Sequence, residues 1–165
     1  MKPILIVVLA AIMFTLLINT NMEVRSIERE LQTSKVVQAA SVPSRYDVIA
    51  KNITTEDINV LARLVWLEAR GEDDLGQRAV VEVVLNRVIS DKFPNTIKEV
   101  VYAKNQFTPA KKIPATVATS KEYKNVYYVL HTNKRILDSN VVYFSMTARN
   151  SKVATQIGCH IFCKL

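Results

Sequence analysis

The pattern of hydrophobic and polar positions predicts a helix that begins after Thr54 and ends at Gly71. Its apolar face carries Ile58, Leu61, Leu64 and Val65, which recur at helical spacing. The next position on that face is Glu68, where the pattern requires another leucine. A carboxylate there is unfavourable unless it is paired, and burial raises its pKa. The pattern therefore singles out Glu68 for its chemistry.

Two interpretations of Glu68 follow from its position. It is either a structural glutamate paired with an arginine or a carboxylic acid kept protonated beside apolar Trp66 and Leu67. The candidate partners are Arg63, Arg70 and Arg87. The protonated form is what a general acid requires. Glu72, four residues further on, would raise the pKa again if the helix continued past the glycine. Periodicity alone does not choose between these interpretations.

The rest of the pattern predicts an α+β domain that is mainly helical, with a small β element near the C-terminus. Thr54 and Asp57 form a capping box that marks the start of the first helix. The segment from Asn105 to Thr119 contains two prolines and is predicted to be a loop bordering a cleft. The other predicted elements are helices over Leu75–Ser90, Thr96–Ala103 and Ser120–Leu137 and strands over Asn140–Ser145 and Gln156–Lys164.

The N-terminus is predicted to be a membrane anchor. Residues 4–18 are apolar except for Thr15, and polar residues follow without a good signal-peptidase site. With its flanks the run approaches the roughly 20 residues needed to cross a bilayer. The predicted division is a signal anchor over residues 1–22, a stalk and linker over 23–53, and a catalytic head over 54–165. The charges that flank the anchor, Lys2 before it and Arg25, Arg29 and Lys35 after it, give a positive-inside bias that is absent or adverse to an extracytoplasmic head, so that placement rests on the expected substrate.

Composition narrows the possible partners. The 165 residues carry a formal net charge of +7, which suits an anionic partner. Lysines and arginines are scattered among glutamates without a long single-sign run, so no nucleic acid is expected. Bacterial wall polymers also carry carboxylates and phosphates, and they fit the same charge.

The C-terminal cysteines do not predict a metal site. Cys159 and Cys163 on one extended strand would lie about 13 Å apart, too far for a disulfide between them. Together with His160 they offer three ligand types, but no second cluster accompanies them. No metal is predicted, and both free thiols and an intermolecular disulfide remain open.

Several spaced motifs occur in a recognisable order. They are Trp66-Leu-Glu-Ala-Arg-Gly-Glu72, Gly76-Gln77, Ala79-Val-Val81, Leu85-Asn-Arg-Val88, Phe93-Pro-Asn-Thr-Ile97, Val100, Gln106-Phe107, Val142-Tyr-Phe144, Ile157-Gly158, His160 and Phe162. This series resembles the cell-wall hydrolase family of the spore cortex-lytic enzymes, which cleave peptidoglycan with a lysozyme-like catalytic domain. The resemblance covers roughly Thr55 to the C-terminus and none of the first 50 or so residues.

The resemblance implies roles for particular side chains. It implies that Glu68 is catalytic and that no metal or organic cofactor is needed. Substrate-binding residues are expected to be Glu72, Gln106, Phe107, Tyr143, Ser145 and His160. An amide such as Gln106 can bond sugar hydroxyls, whereas Phe107 would either stack on a sugar or pack in the core. Because alternate strand residues face opposite sides, Tyr143 or Phe144 must face the core, and Tyr143 is predicted to face the cleft.

The implied function is that of a peptidoglycan lytic transglycosylase. Such an enzyme cleaves the β-1,4 bond between N-acetylmuramic acid (MurNAc) and N-acetylglucosamine (GlcNAc) and forms a 1,6-anhydro end. One glutamate acts first as acid and then as base. The alternatives are a water-using muramidase of the endolysin type, with Glu72 or an aspartate as base, and a non-catalytic wall-binding protein. The protein is expected to be anchored in the membrane with an extracytoplasmic head. Phage lysis, spore germination and wall remodelling all fit this location.

Overall fold

The computed structural model describes Arg25 and residues 46–165. The predicted anchor and most of the predicted stalk therefore lie outside the described residues. In the described part of the chain, no helix is long and apolar enough to cross a membrane. Tyr46 is fully buried in the head, where its hydroxyl donates to Asn86 Oδ1 at 2.6 Å. Packed structure thus begins several residues before the predicted boundary at residue 54.

The helices follow the predicted order with shifted ends. They are α1 Asp47–Asn52, α2 Thr55–Ala69, α3 Asp74–Val88, α4 Ile97–Tyr102, a 3-10 helix Thr108–Ala115, and α5 Ser120–His131. The capping box of Thr54 and Asp57 is confirmed at the start of α2. The loop predicted over Asn105–Thr119 is wrong in part, because it contains the 3-10 helix, in which Pro109 is the second residue.

Helix α5 stops six residues before its predicted end at Leu137. The reason is a contact distant in sequence. The buried Glu82 carboxylate accepts hydrogen bonds from the backbone nitrogens of Ile136 and Leu137. These nitrogens are held by α3 instead of by an α-helical turn of their own. The segment between α5 and the sheet is therefore fixed by a carboxylate that lies over 50 residues earlier.

The sheet has three strands where two were predicted. They are β1 Val141–Ser145, β2 Val153–Ile157 and β3 His160–Lys164, all antiparallel, in the order β1-β3-β2. The predicted strand over Gln156–Lys164 is wrong because the chain reverses at Gly158, whose φ of 54° lies in the left-handed region that favours glycine. The fold class, mainly helical with a small β element near the C-terminus, is confirmed.

Helix α3 is the centre of the core. Every residue from Ala79 to Arg87 is buried, including the polar side chains of Glu82, Asn86 and Arg87. The Asn86 amide donates to the carbonyls of Asp138 and Val141, both at 2.9 Å. These bonds fix the start of β1 against the end of α3. Residues of the sheet and Glu68 in the last turn of α2 line the same cavity.

Candidate active site

A cavity of about 370 Å³ lies where α2, α3 and the sheet meet. Residues of α2, of the end of α3, of the segment entering the 3-10 helix, of β1 with its following loop, and of β3 contribute to it. The lining residues are Glu68, Arg87, Asn105, Gln106, Phe107, Thr108, Phe144, Ser145, Met146, Thr147, Arg149 and His160. Five separate stretches of the sequence therefore converge on one concave site.

Glu68 lies in the last turn of α2 and borders this cavity. Its side chain is half-buried, and burial raises the pKa of its carboxyl above the ordinary value of 4.5. Among the described residues no hydrogen bond or ion pair engages the Glu68 carboxyl. The interpretation as a glutamate paired with an arginine is therefore wrong. An unpaired carboxyl beside a cavity is able to hold a proton and release it to a ligand.

The three candidate arginine partners have other environments. The Arg70 guanidinium lies over the Trp66 ring, 4.8 Å from its centroid. Arg87 donates from Nε to the carbonyl oxygen of Val142 at 2.7 Å. Arg63 forms no ion pair within the described residues. The absence of a cation on Glu68 leaves desolvation as the cause of its raised pKa.

Glu72, predicted to bind substrate, does not line the cavity. Both of its carboxylate oxygens lie 3.3 Å from the backbone nitrogen of Cys159, which donates to them. A Cβ on Gly158 would come within 1.7 Å of Glu72 Oε2, and one on Gly76 within 2.9 Å of Glu72 Cβ. The two glycines leave room for this side chain. In the structure, Glu72 supports the turn between β2 and β3.

His160 follows that turn and is the first residue of β3. It is 5% exposed, and its Nδ1 is buried with no hydrogen-bond partner in the described part of the chain. Burial lowers the pKa of His160, and the nearby negative charge of Glu72 partly opposes that change. The Phe144 ring packs against it in a T-shaped contact with 5.0 Å between centroids. A neutral imidazole therefore lines the cavity near neutral pH.

The predicted orientation of Tyr143 is wrong. Phe144 lines the cavity, whereas Tyr143 packs on Phe93 at 6.3 Å between ring centroids. Phe144 takes the cavity side, where its ring packs with those of Phe107, His160 and Phe162 at 6.1, 5.0 and 5.9 Å between centroids. Since neighbouring strand residues face opposite sides, Tyr143 faces away from that cluster. The hydroxyl of Tyr143 has no bond to Glu68 within the described residues.

The other predicted site residues do reach the cavity. Gln106 and Phe107 line it just before the 3-10 helix, and Phe107 is only 6% exposed. The Phe107 ring also contacts Phe144 at 6.1 Å, so it has a packing role as well as a place at the cavity wall. Ser145 lines the cavity and donates its hydroxyl to the carbonyl oxygen of Thr147.

Arg87 is the most unusual side chain at the site. It is 1% exposed, and it does not pair with Glu68 as one interpretation predicted. Its guanidinium lies 4.8 Å from the Phe107 centroid and 5.3 Å from that of Phe93. Burial lowers its pKa to about 10, with Tyr143 opposing and Arg149 adding to the decrease. Its Nη1 is buried and has no hydrogen-bond partner among the described residues.

Sequence reasoning missed several other lining residues, above all Arg149. It lies in the loop between β1 and β2, which has no hydrophobic period that would place it. Its guanidinium lies 5.9 Å from the Tyr143 ring centroid. Cys159 is exposed and Cys163 is buried, and both are free thiols. In the described residues no group of three side chains is arranged to hold a metal ion.

Comparison with known proteins gives one consistent family. A family model described as Cell Wall Hydrolase matches residues 71–163. A spore cortex-lytic enzyme of Bacillus cereus is 31% identical over 133 residues, covering 77% of this chain and 49% of that protein. One from Bacillus subtilis is 40% identical over 68 residues, covering 39% of this chain and 22% of that protein. The chain thus spans about half or less of the length of the curated relatives it matches.

Two solved structures have a similar fold. The catalytic domain of the Bacillus cereus SleB protein matches with a TM-score of 0.59 and 34% identity, over 67% of this chain and 91% of that one. The catalytic domain of the germination-specific lytic transglycosylase SleB from Bacillus anthracis matches with a TM-score of 0.58 and 32% identity. That match covers 74% of this chain and 100% of the other. The domain described here thus has the fold of an enzyme catalytic domain.

Proposed function

The chain belongs to the cell wall hydrolase family, and we propose that its head cleaves the MurNAc-GlcNAc β-1,4 bond of peptidoglycan as a lytic transglycosylase. The observation that carries the proposal is the carboxyl of Glu68. It is half-buried, unpaired among the described residues, and has a raised pKa at the wall of a cavity. The relatives named spore cortex-lytic enzymes, and the lytic transglycosylase of similar fold, support the same substrate class.

The proposed reaction uses Glu68 twice. As an acid it donates its proton to the glycosidic oxygen while the bond from that oxygen to C1 of MurNAc breaks. As a carboxylate it then removes the proton of the C6 hydroxyl of the same sugar. The C6 oxygen forms a new bond to C1 and closes the 1,6-anhydro ring. Glu68 ends protonated, as it began, and no water is consumed.

The number of acids at the cavity favours this route over hydrolysis. Glycosidases that use water place a second carboxylate about 5–9.5 Å from the acid. Among the described residues that line the cavity, Glu68 is the one carboxylate. Glu72, considered as a base for hydrolysis, is bonded to the turn at Cys159. A transglycosylase does not require the second group.

The remaining roles are part of the same proposal. Gln106, Phe107, Ser145 and His160 bind the glycan, because each lines the cavity with Glu68. Glu72 and Tyr143 act indirectly, since neither lines it. We also propose the division of the chain into an anchor over residues 1–22, a stalk, and a lysozyme-like head. The apolar run over residues 4–18 supports the anchor. The extracytoplasmic placement of the head at the cell envelope follows from the proposed substrate, which lies outside the cytoplasm.

The deciding experiment is mass spectrometry of purified peptidoglycan digested by the full chain. Muropeptides with 1,6-anhydro ends are expected, and they should be absent with Glu68→Gln. Reducing MurNAc ends alone would identify a water-using muramidase. A chain that pellets with the wall but releases no soluble fragment would be a binding protein, contrary to the proposal. Glu56→Gln is the matched control, because Glu56 is an exposed glutamate on the same helix.

A further inference from the structure

The cavity that holds Glu68 also holds two arginines. Arg87 enters from the end of α3 and Arg149 from the loop between β1 and β2. Their guanidinium carbons lie 5.8 Å and 5.9 Å from the centroid of the same ring, that of Tyr143. The described part of the chain has no ion pair to either arginine. Two like charges thus line one cavity, where Arg149 contributes to the lowered pKa of Arg87.

Arg87 is held in a state that needs a partner. A buried guanidinium is unfavourable unless its charge and its donors are satisfied. Its Nε is satisfied by Val142, but its buried Nη1 is not. Three aromatic rings lie against the guanidinium and position it: those of Phe93, Phe107 and Tyr143. With a pKa of about 10, the group remains charged near neutral pH.

The fold supplies reasons why this arrangement persists. Arg87 belongs to the fully buried stretch of α3, so packing holds its backbone. Its guanidinium is held as well, by the bond to the Val142 carbonyl and by the surrounding aromatic rings. A buried donor without a partner, such as Arg87 Nη1, is expected at a cavity when a bound ligand accepts its hydrogen bond. The ligand must be an anion, because both groups are cations and donors only.

We propose that Arg87 and Arg149 form an anion subsite of the cavity, and that this subsite takes a carboxylate carried by the MurNAc residue undergoing cleavage. This inference rests on the proposed function, since it is the reaction at Glu68 that brings MurNAc to the cavity. A planar guanidinium pairs well with a carboxylate through two parallel bonds. Carboxylates occur on the lactyl arm of unsubstituted MurNAc and on stem peptides attached to that arm.

The two sources are separable by the substrate used. Glycan strands freed of peptide by an amidase carry lactyl carboxylates, whereas intact strands carry only those of the peptides. Each preparation has a neutral counterpart, in which its carboxylates are amidated with ammonia and a carbodiimide. KM and kcat are measured for the full chain on all four substrates.

The main variant is Arg149→Gln, because Arg149 is exposed and its loss is compatible with folding. We expect KM to rise roughly tenfold on the carboxylate strands recognised by the subsite, the scale of one charge-assisted bond. kcat should change little, and Arg149→Lys should recover part of the loss. On the amidated counterpart, Arg149→Gln and the unchanged chain should have equal KM values. The control Lys98→Gln removes the same charge from an exposed site away from the cavity and should leave KM unchanged.

Arg87→Lys tests the buried half of the subsite, with its melting temperature measured alongside. If it unfolds, the Arg149 comparison decides. If Arg149→Gln raises KM on the amidase-treated strands, the subsite binds the lactyl carboxylate. If it raises KM only on the intact strands, the subsite binds a carboxylate of the stem peptide. A KM for Arg149→Gln that equals that of the unchanged chain on every carboxylate substrate overturns the subsite and leaves the chemistry of Glu68 standing. If the unchanged chain cleaves none of the substrates, the proposed function itself is refuted.

Discussion

Two polar regions of the head contrast in how completely their groups are satisfied. Between α3 and α5, Gln77, Glu122 and Asn125 are at most 2% exposed and bond to one another. At the cavity, Glu68, Arg87 and His160 are half-buried or buried, and each leaves a polar group without a hydrogen bond within the described residues. Burial of polar groups alone therefore does not mark a functional site. Burial without partners, beside a cavity, distinguishes the second region from the first.

The interface between α3 and α5 shows what a structural polar network looks like. Gln77 Nε2 donates to Glu122 Oε1 at 3.2 Å, and Asn125 Nδ2 donates to Gln77 Oε1 at 2.9 Å. The second oxygen of Glu122 accepts from the backbone nitrogen of Thr119 at 2.8 Å and so caps α5. Burial raises the pKa of Glu122, but these bonds outweigh it, so the net pKa lies below its ordinary value.

The largest effect on activity is expected for Glu68→Gln at the cavity. Activity on purified wall should fall at least about a hundredfold, the usual contribution of an acid-base group. The melting temperature should stay within a degree or two, because the carboxyl has no partner to lose among the described residues. Calorimetry and a turbidity assay measure both quantities. Retained activity would refute the role of Glu68, and a large loss of stability would erase the contrast between the two regions.

Glu122→Ala, in the hydrogen-bonded network between α3 and α5, is expected to lower stability and leave activity unchanged. It removes the Glu122 half of the capping box, with its bonds from Thr119, and one of the two acceptors of the buried Gln77 amide, so unfolding should become easier by about 3 kcal/mol. Urea denaturation measures this change. Activity per folded molecule should be unaltered. The lowered pKa of Glu122 also predicts stability that is present at neutral pH and is lost as pH falls below about 4.5, whereas the variant should show less of that loss.

An intermediate effect is expected for Gly158→Ala, which disturbs the support of His160. The new Cβ would collide with Glu72 Oε2, and the φ of 54° is unfavourable for alanine. We expect a loss of about 2 kcal/mol in stability, together with reduced activity. Gly71→Ala is the matched control, because a Cβ there meets nothing within 4 Å. Equal melting temperatures for the two variants would show that the turn does not depend on Glu72.

The smallest effect is expected in the pH profile. A general acid must be protonated, so kcat/KM should fall as pH rises through the raised pKa of Glu68, at a value above 4.5. The sign follows from burial, which favours the neutral carboxyl. Rates measured across pH 4 to 8, with melting temperature followed in parallel, separate catalysis from unfolding. A limb that rises with pH through this range would indicate that the carboxylate form starts the reaction.

The position of Glu68 was predictable, because one helical face is read from residues three and four apart. The same local pattern gave the capping box at Thr54 and the helical character of the head. Glu72 and Tyr143 were assigned to the cavity on the family resemblance, and both lie elsewhere. Glu72 is diverted by a turn that comes 86 residues later in the chain, at Gly158. Tyr143 faces away because Phe144 takes the cavity side, where it packs with His160 and Phe162 of β3.

The amino-acid sequence by itself determined the helix that carries Glu68, the apolar face on which that acid is the exception, and the family to which the chain belongs. Only the tertiary structure decided that Arg87 is buried without a carboxylate and that Arg149 and His160 border the same cavity. The physical reason is the distance along the sequence over which each effect acts. Periodicity and capping act within a turn or two of chain, whereas burial, register and the approach of two charges depend on which distant elements pack together.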